Sequence, residues 1–255
     1  MTEATLDGHL DDLARATSLL EAAGPLVGIG KAVGLDRPSA VEDFTSERLI
    51  MSRDGGLLGE IFGWLRSQGP TAGWDSLAHV CPIGRACRVA VHPFAWRSAE
   101  IGAAEFSWDR RAREFWRRAS EKGIVGGVTV PVHMPLSRVG AVGWLAIDQS
   151  PDLESIIERW SSRLRLAAYM FMDHVYRERP DTARTAPDAA LTERELECLT
   201  WVALGKTDAE IGELMGRSPS TARFHVESAV TKLGVNNRTR AAAVACQLGM
   251  IRALA

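Results

Sequence analysis

Cysteine is scarce in this chain: there are four, Cys81, Cys87, Cys198 and Cys246, among 255 residues, with no C-x-x-C pair. A disulfide framework is therefore excluded, and the reading is a reduced, cytosolic protein. Long apolar runs are missing too. Charge or glycine breaks each one well short of the ~18 residues that a membrane-spanning helix needs. The start carries Glu3, Asp7, Asp11 and Asp12 where a secretory signal would have a basic region and an apolar stretch. No sign of charge dominates, since 30 lysines and arginines face 32 acidic residues for a net charge of −2. Nor is there an internal repeat, a low-complexity tract, a phosphate-cradling glycine loop, a nucleophile–base pair or a paired-carboxylate arrangement. Neither catalysis nor a cofactor is expected, and no membrane partner is expected.

What is present is apolar material in quantity, 46% of residues against 24% charged, the balance of a folded globular protein. The length suits one large domain or two smaller ones. Residues 177–190, RERPDTARTAPDAA, hold two prolines, small residues and charge without apolar periodicity, and read as a linker. Two domains are expected, residues 1–176 and 191–255.

Charge is unevenly spread over the second part. Residues 191–215 hold two basic residues, Arg194 and Lys206, against six acidic ones. Residues 216–255 hold six basic residues (Arg217, Arg223, Lys232, Arg238, Arg240, Arg252) against Glu227 alone, a local charge of +5. A basic segment on a near-neutral protein suits a polyanion, although a solvated basic face has the same signature.

The second part reads as four short helices. Thr192–Glu195 and Thr207–Glu210 are capping boxes, in which the threonine hydroxyl and the glutamate satisfy each other's backbone N–H groups. Leu199, Val202 and Ala203 supply the buried face of the first helix and Gly205 stops it. Ile211 and Leu214 are expected inside the second, which ends at Gly216. Ser218-Pro219 opens the third, whose Ala222, Val226, Ala229 and Leu233 form one stripe. Gly234 closes it. Asn237 caps a fourth helix that buries Ala241, Val244, Ala245 and Leu248.

Two short helices joined by a tight glycine-containing turn form a helix-turn-helix pattern, whose second helix fits the DNA major groove. Opposite the buried stripe lie Ser220, Phe224, Glu227 and Thr231, with Arg223 on the flank. Arginine matches guanine bidentately, and Phe224 suits a thymine methyl. Lys206, Ser218, Thr221, Lys232, Arg238 and Arg240 are placed for phosphates, which give affinity rather than sequence reading. The pattern alone also fits a small helical interaction module. The stretch LTERELECLTWVALGKTDAEIGELMGRSPSTARFHVESAVTKLGVNNRTRAAAVA strongly resembles the DNA-binding domain of LuxR-type transcriptional regulators, from Leu191 to about Ile251.

A phospho-acceptor domain of alternating parallel strands and helices is opposed at the other end of the chain. The opening LDGHLDDLARATSLLEAAGPLVG reads as a helix with Leu6, Leu10, Leu13 and Leu20 at helical spacing. Ser107–Lys122 reads as an amphipathic helix with Phe115, Trp116 and Ala119, ended by Gly123. Val128–His133 and Ala141–Asp148 read as strands of a hairpin. Leu153–Tyr176 is a long helix with Ile156, Ile157, Trp160, Leu164, Ala167, Phe171 and Val175 on its stripe. The fold class expected is an α+β, α-β-α sandwich with an antiparallel sheet, followed by an all-α helix-turn-helix domain.

HPFAW, FWRRASEKGIVGGVTVPVH and GAVGWLAI resemble the autoinducer-binding domain of quorum-sensing LuxR-type proteins, over about Val80 to Val175. The resemblance implies a pocket for an acyl homoserine lactone, ligand-dependent stability, and a homodimer suited to a two-fold symmetric operator. Trp96 matches the pocket tryptophan that gives its indole N–H to the lactone carbonyl. Gly127 matches the glycine before the V-T-V-P strand, and Pro82 the proline of an Asp-Pro pair. Gly143 stands where many relatives have a small or hydroxylated residue near the ligand amide. Cys81, fifteen residues before Trp96 as in the family, replaces the aspartate that accepts the amide N–H. A thiol accepts poorly, and losing a charge-assisted bond of ~1.5–3 kcal/mol corresponds to ~10–100-fold in affinity. The upstream aromatic pair has no secure match: ungapped counting gives Gln68 and Ala72, and Trp64 or Trp74 serves only with gaps. Three readings of the pocket stand: an unusual, mostly apolar signal molecule, an ordinary acyl lactone, or a packed core in a ligand-independent regulator or dimerisation partner.

His79, Cys81, Cys87 and His92 make an H-x-C-x5-C-x4-H string of metal-ligand types, but the spacing is not that of a standard zinc site. No metal is expected. Cys81 and Cys87 read as buried small hydrophobes rather than a redox pair.

Overall fold

The structure, a computed structural model, describes residues 3–44, 62, 82–103, 110–178 and 190–252. The chain divides into two compact units, the first built from Met1–Met134 and Arg138–Arg179 and the second from Pro180–Ala255.

In the first unit the chain opens with helices α1 (Glu3–Arg15) and α2 (Leu19–Ala32), then strand β1 (Arg37–Val41). The single opening helix expected from the leucine spacing is in fact two. Ser18 caps α2 by accepting from the Glu21 N–H, while the Glu21 carboxylate takes the Thr17 backbone N–H. The restart changes the helical phase, so Leu19 is buried and Leu20 is 53% exposed.

Short elements follow: α3 (Pro82–Cys87), β2 (Phe94–Arg97), α4 (Ser98–Ala103) and α5 (Arg110–Glu121). Residues 107–109 of the expected amphipathic helix lie outside the described residues. Strands β3 (Ile124–Met134) and β4 (Arg138–Ile147) form the expected hairpin, longer at both ends than their apolar cores suggested. Leu136 and Ser137 turn it with φ of 64° and 56°, the pattern of a two-residue type I′ connection. Helix α6 (Leu153–Arg177) completes the unit, capped by Asp152, whose side chain accepts from the Ser155 N–H.

The sheet is antiparallel, in the order β1-β4-β3-β2. Alternation gives it two different faces. One face carries Val128, Val130, Val132, Val142, Trp144 and Ala146 into a core with Leu6, Leu10, Leu13, Leu26 and Ile29 of α1 and α2. Trp160, Leu164, Ala167, Phe171 and Val175 of α6 join the same core. The Trp144 indole donates to the Leu26 carbonyl at 3.0 Å, and the missing side chain of Gly30 gives the ring its place against α2. The other face carries Trp96, Leu145, Phe94 and Ala141. It meets Trp116 and Ala119 of α5, and Ile83 and Cys87 of α3.

The second unit is four helices: α7 (Glu193–Ala203), α8 (Asp208–Met215), α9 (Pro219–Lys232) and α10 (Arg238–Gln247). Both capping boxes form, and Gly205, Gly216 and Gly234 end their helices with φ of 80°, 62° and 64°. The expected α9 stripe of Ala222, Val226, Ala229 and Leu233 is buried. Leu214 departs from expectation at 52% exposed. Helix α8 turns Ile211 and Gly212 inward instead, because Gly212 lets the next turn approach closely; a Cβ there would lie 2.8 Å from the Arg217 carbonyl oxygen. Ala241 and Ala245 of α10 are fully buried, whereas Val244 and Leu248 are half-buried.

Candidate functional site

The first candidate site lies on the sheet face that carries Trp96. Phe94–Trp96 run antiparallel to β3, which sets Trp96 opposite Gly127. A Cβ on Gly127 would come within 2.6 Å of the Trp144 carbonyl oxygen and 3.1 Å of the Trp96 ring, so this glycine lets the indole lie against the strand. The ring meets Trp116 edge-on, with centroids 5.5 Å apart. Its Nε1–H donates to Thr129 Oγ1 at 3.0 Å. The indole proton is thus engaged within the protein, by a residue that sequence reading passed over. A signal was there: Thr129 is the polar position between Val128 and Val130, and it is 4% exposed.

Gly143 faces the same way. The register places it opposite Ser39 on β1 and Thr129 on β3. A Cβ on Gly143 would lie 3.2 Å from the hydroxyl oxygens of both. Ser39 was also missed, because β1 is a short segment with Pro38 inside it and gives no strand signal of its own. Pro82 opens α3, where it starts a helix without needing its absent N–H. Cys81, Trp64 and Trp74 lie outside the described residues. So does His79; Cys87 is fully buried beside Phe44 and Ala141. His92 is exposed, its Nδ1 accepting from Arg165 at 2.6 Å. Among the described residues no three histidines, cysteines or carboxylates converge as a metal site.

The second candidate site is the outer face of α9. Ser220, Arg223, Phe224, Glu227 and Thr231 are exposed, Phe224 by 66%. Glu227 Oε1 takes the Arg223 Nε–H at 2.8 Å, and this bond raises the arginine's pKa further. The two terminal amino groups of the guanidinium remain available as a fork, the geometry that guanine accepts. At the start of α9 Ser218 Oγ accepts from the Thr221 N–H and lies 2.8 Å from the Ser220 and Thr221 hydroxyls. A helix N-terminus bearing hydroxyls suits a phosphate.

The basic residues divide into two sets. Lys206 pairs with Glu210 at 3.3 Å and remains half exposed. Arg240 is exposed and has no ion-pair partner among the described residues. The same holds for Arg217, which precedes α9 and was counted in the local charge without being assigned a contact. Lys232 and Arg238 are engaged inside the unit. Lys232 donates to Glu195 Oε2 at 2.8 Å, and Ser228 to the other oxygen at 2.7 Å. Burial pushes the Glu195 carboxyl up, but Lys232, Ser228 and Thr192 outweigh it and hold the pKa at about 2. Arg238 bridges Asp208 at 2.5 Å and the Lys206 carbonyl at 2.9 Å, tying the start of α10 to the start of α8.

Two family models match the chain. Residues 75–175 match the autoinducer binding domain, and residues 189–245 match the bacterial regulatory proteins of the luxR family. The transcriptional activator protein BjaR1 of Bradyrhizobium diazoefficiens is 34% identical over 166 residues, 64% of this chain and 64% of that protein, just under two thirds of its length. The HTH-type quorum sensing-dependent transcriptional regulator RpaR of Rhodopseudomonas palustris is 31% identical over 205 residues, 80% of each. Among solved structures, Escherichia coli SdiA is similar in fold, with a TM-score of 0.54 at 17% identity over 98% of both chains. SdiA in complex with octanoyl-rac-glycerol gives 0.55 at 18% identity, over 99% of this chain and 98% of that one.

Proposed function

Because the chain belongs to the LuxR-type family of autoinducer-binding transcriptional regulators, we propose that it is a dimeric, ligand-responsive transcription factor whose α9 reads a two-fold symmetric operator. The family is one of transcription factors, not enzymes. The observation that carries the DNA reading is the split of α9. Ala222, Val226 and Ala229 are buried, while Ser220, Arg223, Phe224 and Glu227 face outward. Arg223 and Phe224 read bases; Ser218, Thr221, Arg217, Lys206 and Arg240 bind phosphates.

The first unit takes a small, mostly apolar signal molecule on the face that bears Trp96, Thr129 and Gly143. Support comes from its composition: two glycines, a short set of hydroxyls and apolar clusters on either flank, as small-molecule sites have. An acyl ligand suits these walls, and SdiA holds an acyl glycerol in a similar fold. Helix α6 contributes to the dimer, consistent with Leu166 and Tyr169, which are 51% and 44% exposed three residues apart. A cytoplasmic location follows from the DNA target; among the described residues no helix is long and apolar enough to cross a membrane.

Native mass spectrometry of protein purified from the cells that make it, followed by denaturing extraction, tests the ligand. The expected result is a dimer carrying one acyl compound per chain. An empty, folded dimer that binds a symmetric duplex would replace this reading with a ligand-independent regulator. Fluorescence anisotropy against symmetric and scrambled duplexes tests the operator; equal affinity for both would end that part of the proposal.

A further inference from the structure

This inference rests on the reading of the first unit as a receptor for an acyl signal, and it concerns which groups recognise that signal. Ser39, Gly143 and Thr129 form one row across three adjacent strands, with the glycine in the middle. An indole N–H is only a donor. Its 3.0 Å bond to Thr129 therefore makes the threonine oxygen the acceptor. The hydroxyl proton of Thr129 has no acceptor among the described residues, although the residue is buried. Ser39 is half-buried, and its hydroxyl makes no hydrogen bond among the described residues. Buried polar groups left in this state are rare.

Gly143 gives both hydroxyls a common target. An atom standing where its Cβ would be lies 3.2 Å from Ser39 Oγ and 3.2 Å from Thr129 Oγ1. Two O–H donors therefore meet over one glycine, and one of them is polarised by the indole behind it. The apolar clusters on the same face, Trp116 with Leu145 and Phe44 with Ala141, suit an alkyl chain and exclude a charged head.

We propose that Ser39 and Thr129 together read the carbonyl oxygen of a neutral acyl ligand seated over Gly143, and that Trp96 acts on the ligand only through Thr129, as a positioning residue. An ester carbonyl has the same acceptor lone pairs as an amide carbonyl. The amide N–H of an acyl lactone is therefore not required for recognition here, and an acyl ester serves as well.

The test is titration calorimetry on the full-length chain with three probes: N-octanoyl homoserine lactone, 1-octanoyl-glycerol, and 1-O-octyl-glycerol, which lacks the carbonyl. The wild type should prefer both carbonyl probes to the ether. Ser39→Ala should weaken each carbonyl probe about five- to tenfold, the value of one net hydrogen bond, and narrow the preference over the ether. Its ligand-free thermal midpoint should not move, because Ser39 makes no internal hydrogen bond. Thr129→Ser should keep the preference and Thr129→Val should abolish it. Trp96→Phe should shrink the preference when Thr129 is present and change nothing further in Thr129→Val. A Ser39→Ala variant that binds all three probes like the wild type overturns the inference and leaves the receptor reading standing, as does a wild type that fails to distinguish octanoyl- from octyl-glycerol. A wild type that binds none of the three overturns both.

Discussion

The Lys232 ammonium lies 2.8 Å from a carboxylate oxygen of Glu195, joining the last turn of α9 to the first turn of α7. The glutamate side chain is 4% exposed and also accepts from Ser228 and from the Thr192 backbone. The ion pair thus fixes the angle at which α9 is presented.

Its pH dependence follows from the carboxyl pKa. Glu195 titrates at about 2 in the folded protein against an ordinary value of 4.5. The unfolded chain binds the proton more readily, so this stabilisation is complete above about pH 5 and is lost as pH falls towards 2. It amounts to at most about 3 kcal/mol. Denaturant unfolding of the second unit between pH 6 and pH 3 should show the loss. Glu195→Gln should flatten the profile while lowering stability at pH 7, because Lys232 is left without its partner.

The Trp96–Thr129 bond should appear as coupling. Thr129→Val leaves a buried indole N–H unsatisfied and should cost about 1–3 kcal/mol. Trp96→Phe in the same background should cost less than it does in the wild type. A double-mutant cycle by chemical denaturation measures the difference; strictly additive effects would mean that the bond contributes nothing to the fold.

Arg223 and Arg240 should fail differently. Arg223→Ala should relax base preference at one operator position by about 1–3 kcal/mol. Arg240→Ala should weaken binding to all sequences alike and reduce the dependence on log salt by about one unit. Anisotropy titrations over a salt series, with specific and scrambled duplexes, separate the two. Equal loss of preference in both variants would contradict the assignment.

Gly212→Ala should disturb the helix-turn-helix without touching DNA. The new Cβ would meet the Arg217 carbonyl at 2.8 Å, a backbone atom that cannot swing aside. A cost of about 1–3 kcal/mol is expected, together with weaker DNA binding, readable as a lower melting temperature and a lower affinity.

The helical unit was largely legible from its sequence because its signals are local. Thr192, Thr207, Ser218 and Asn237 all cap helices as expected, and the three glycines end them. Leu214 was misplaced because which face an α8 residue shows depends on Gly212, a contact between helices rather than a pattern within one. In the first unit the hairpin and α6 were legible from period and length. Strand β1 was not, since five residues with a proline carry little periodicity and exist as a strand only by pairing with β4. The ligand-side chemistry depended on that pairing. Trp96 and Gly143 were found, but Ser39 and Thr129 join them only through the register. Lys232 and Arg238 look like phosphate contacts in a list of charges; their acidic partners lie 37 and 30 residues away in sequence.

The two faces of α9 also have an evolutionary meaning. Its inner residues, Ala222, Val226 and Ala229, are held by the other helices, so changing them disturbs the whole unit. Its outer residues touch little of that core, so Ser220, Arg223, Phe224 and Glu227 can be exchanged one at a time at small cost in stability. Operator preference is therefore free to drift by single substitutions while the scaffold stays constant, and duplicated copies of such a gene can acquire separate target sites without passing through an unfolded intermediate.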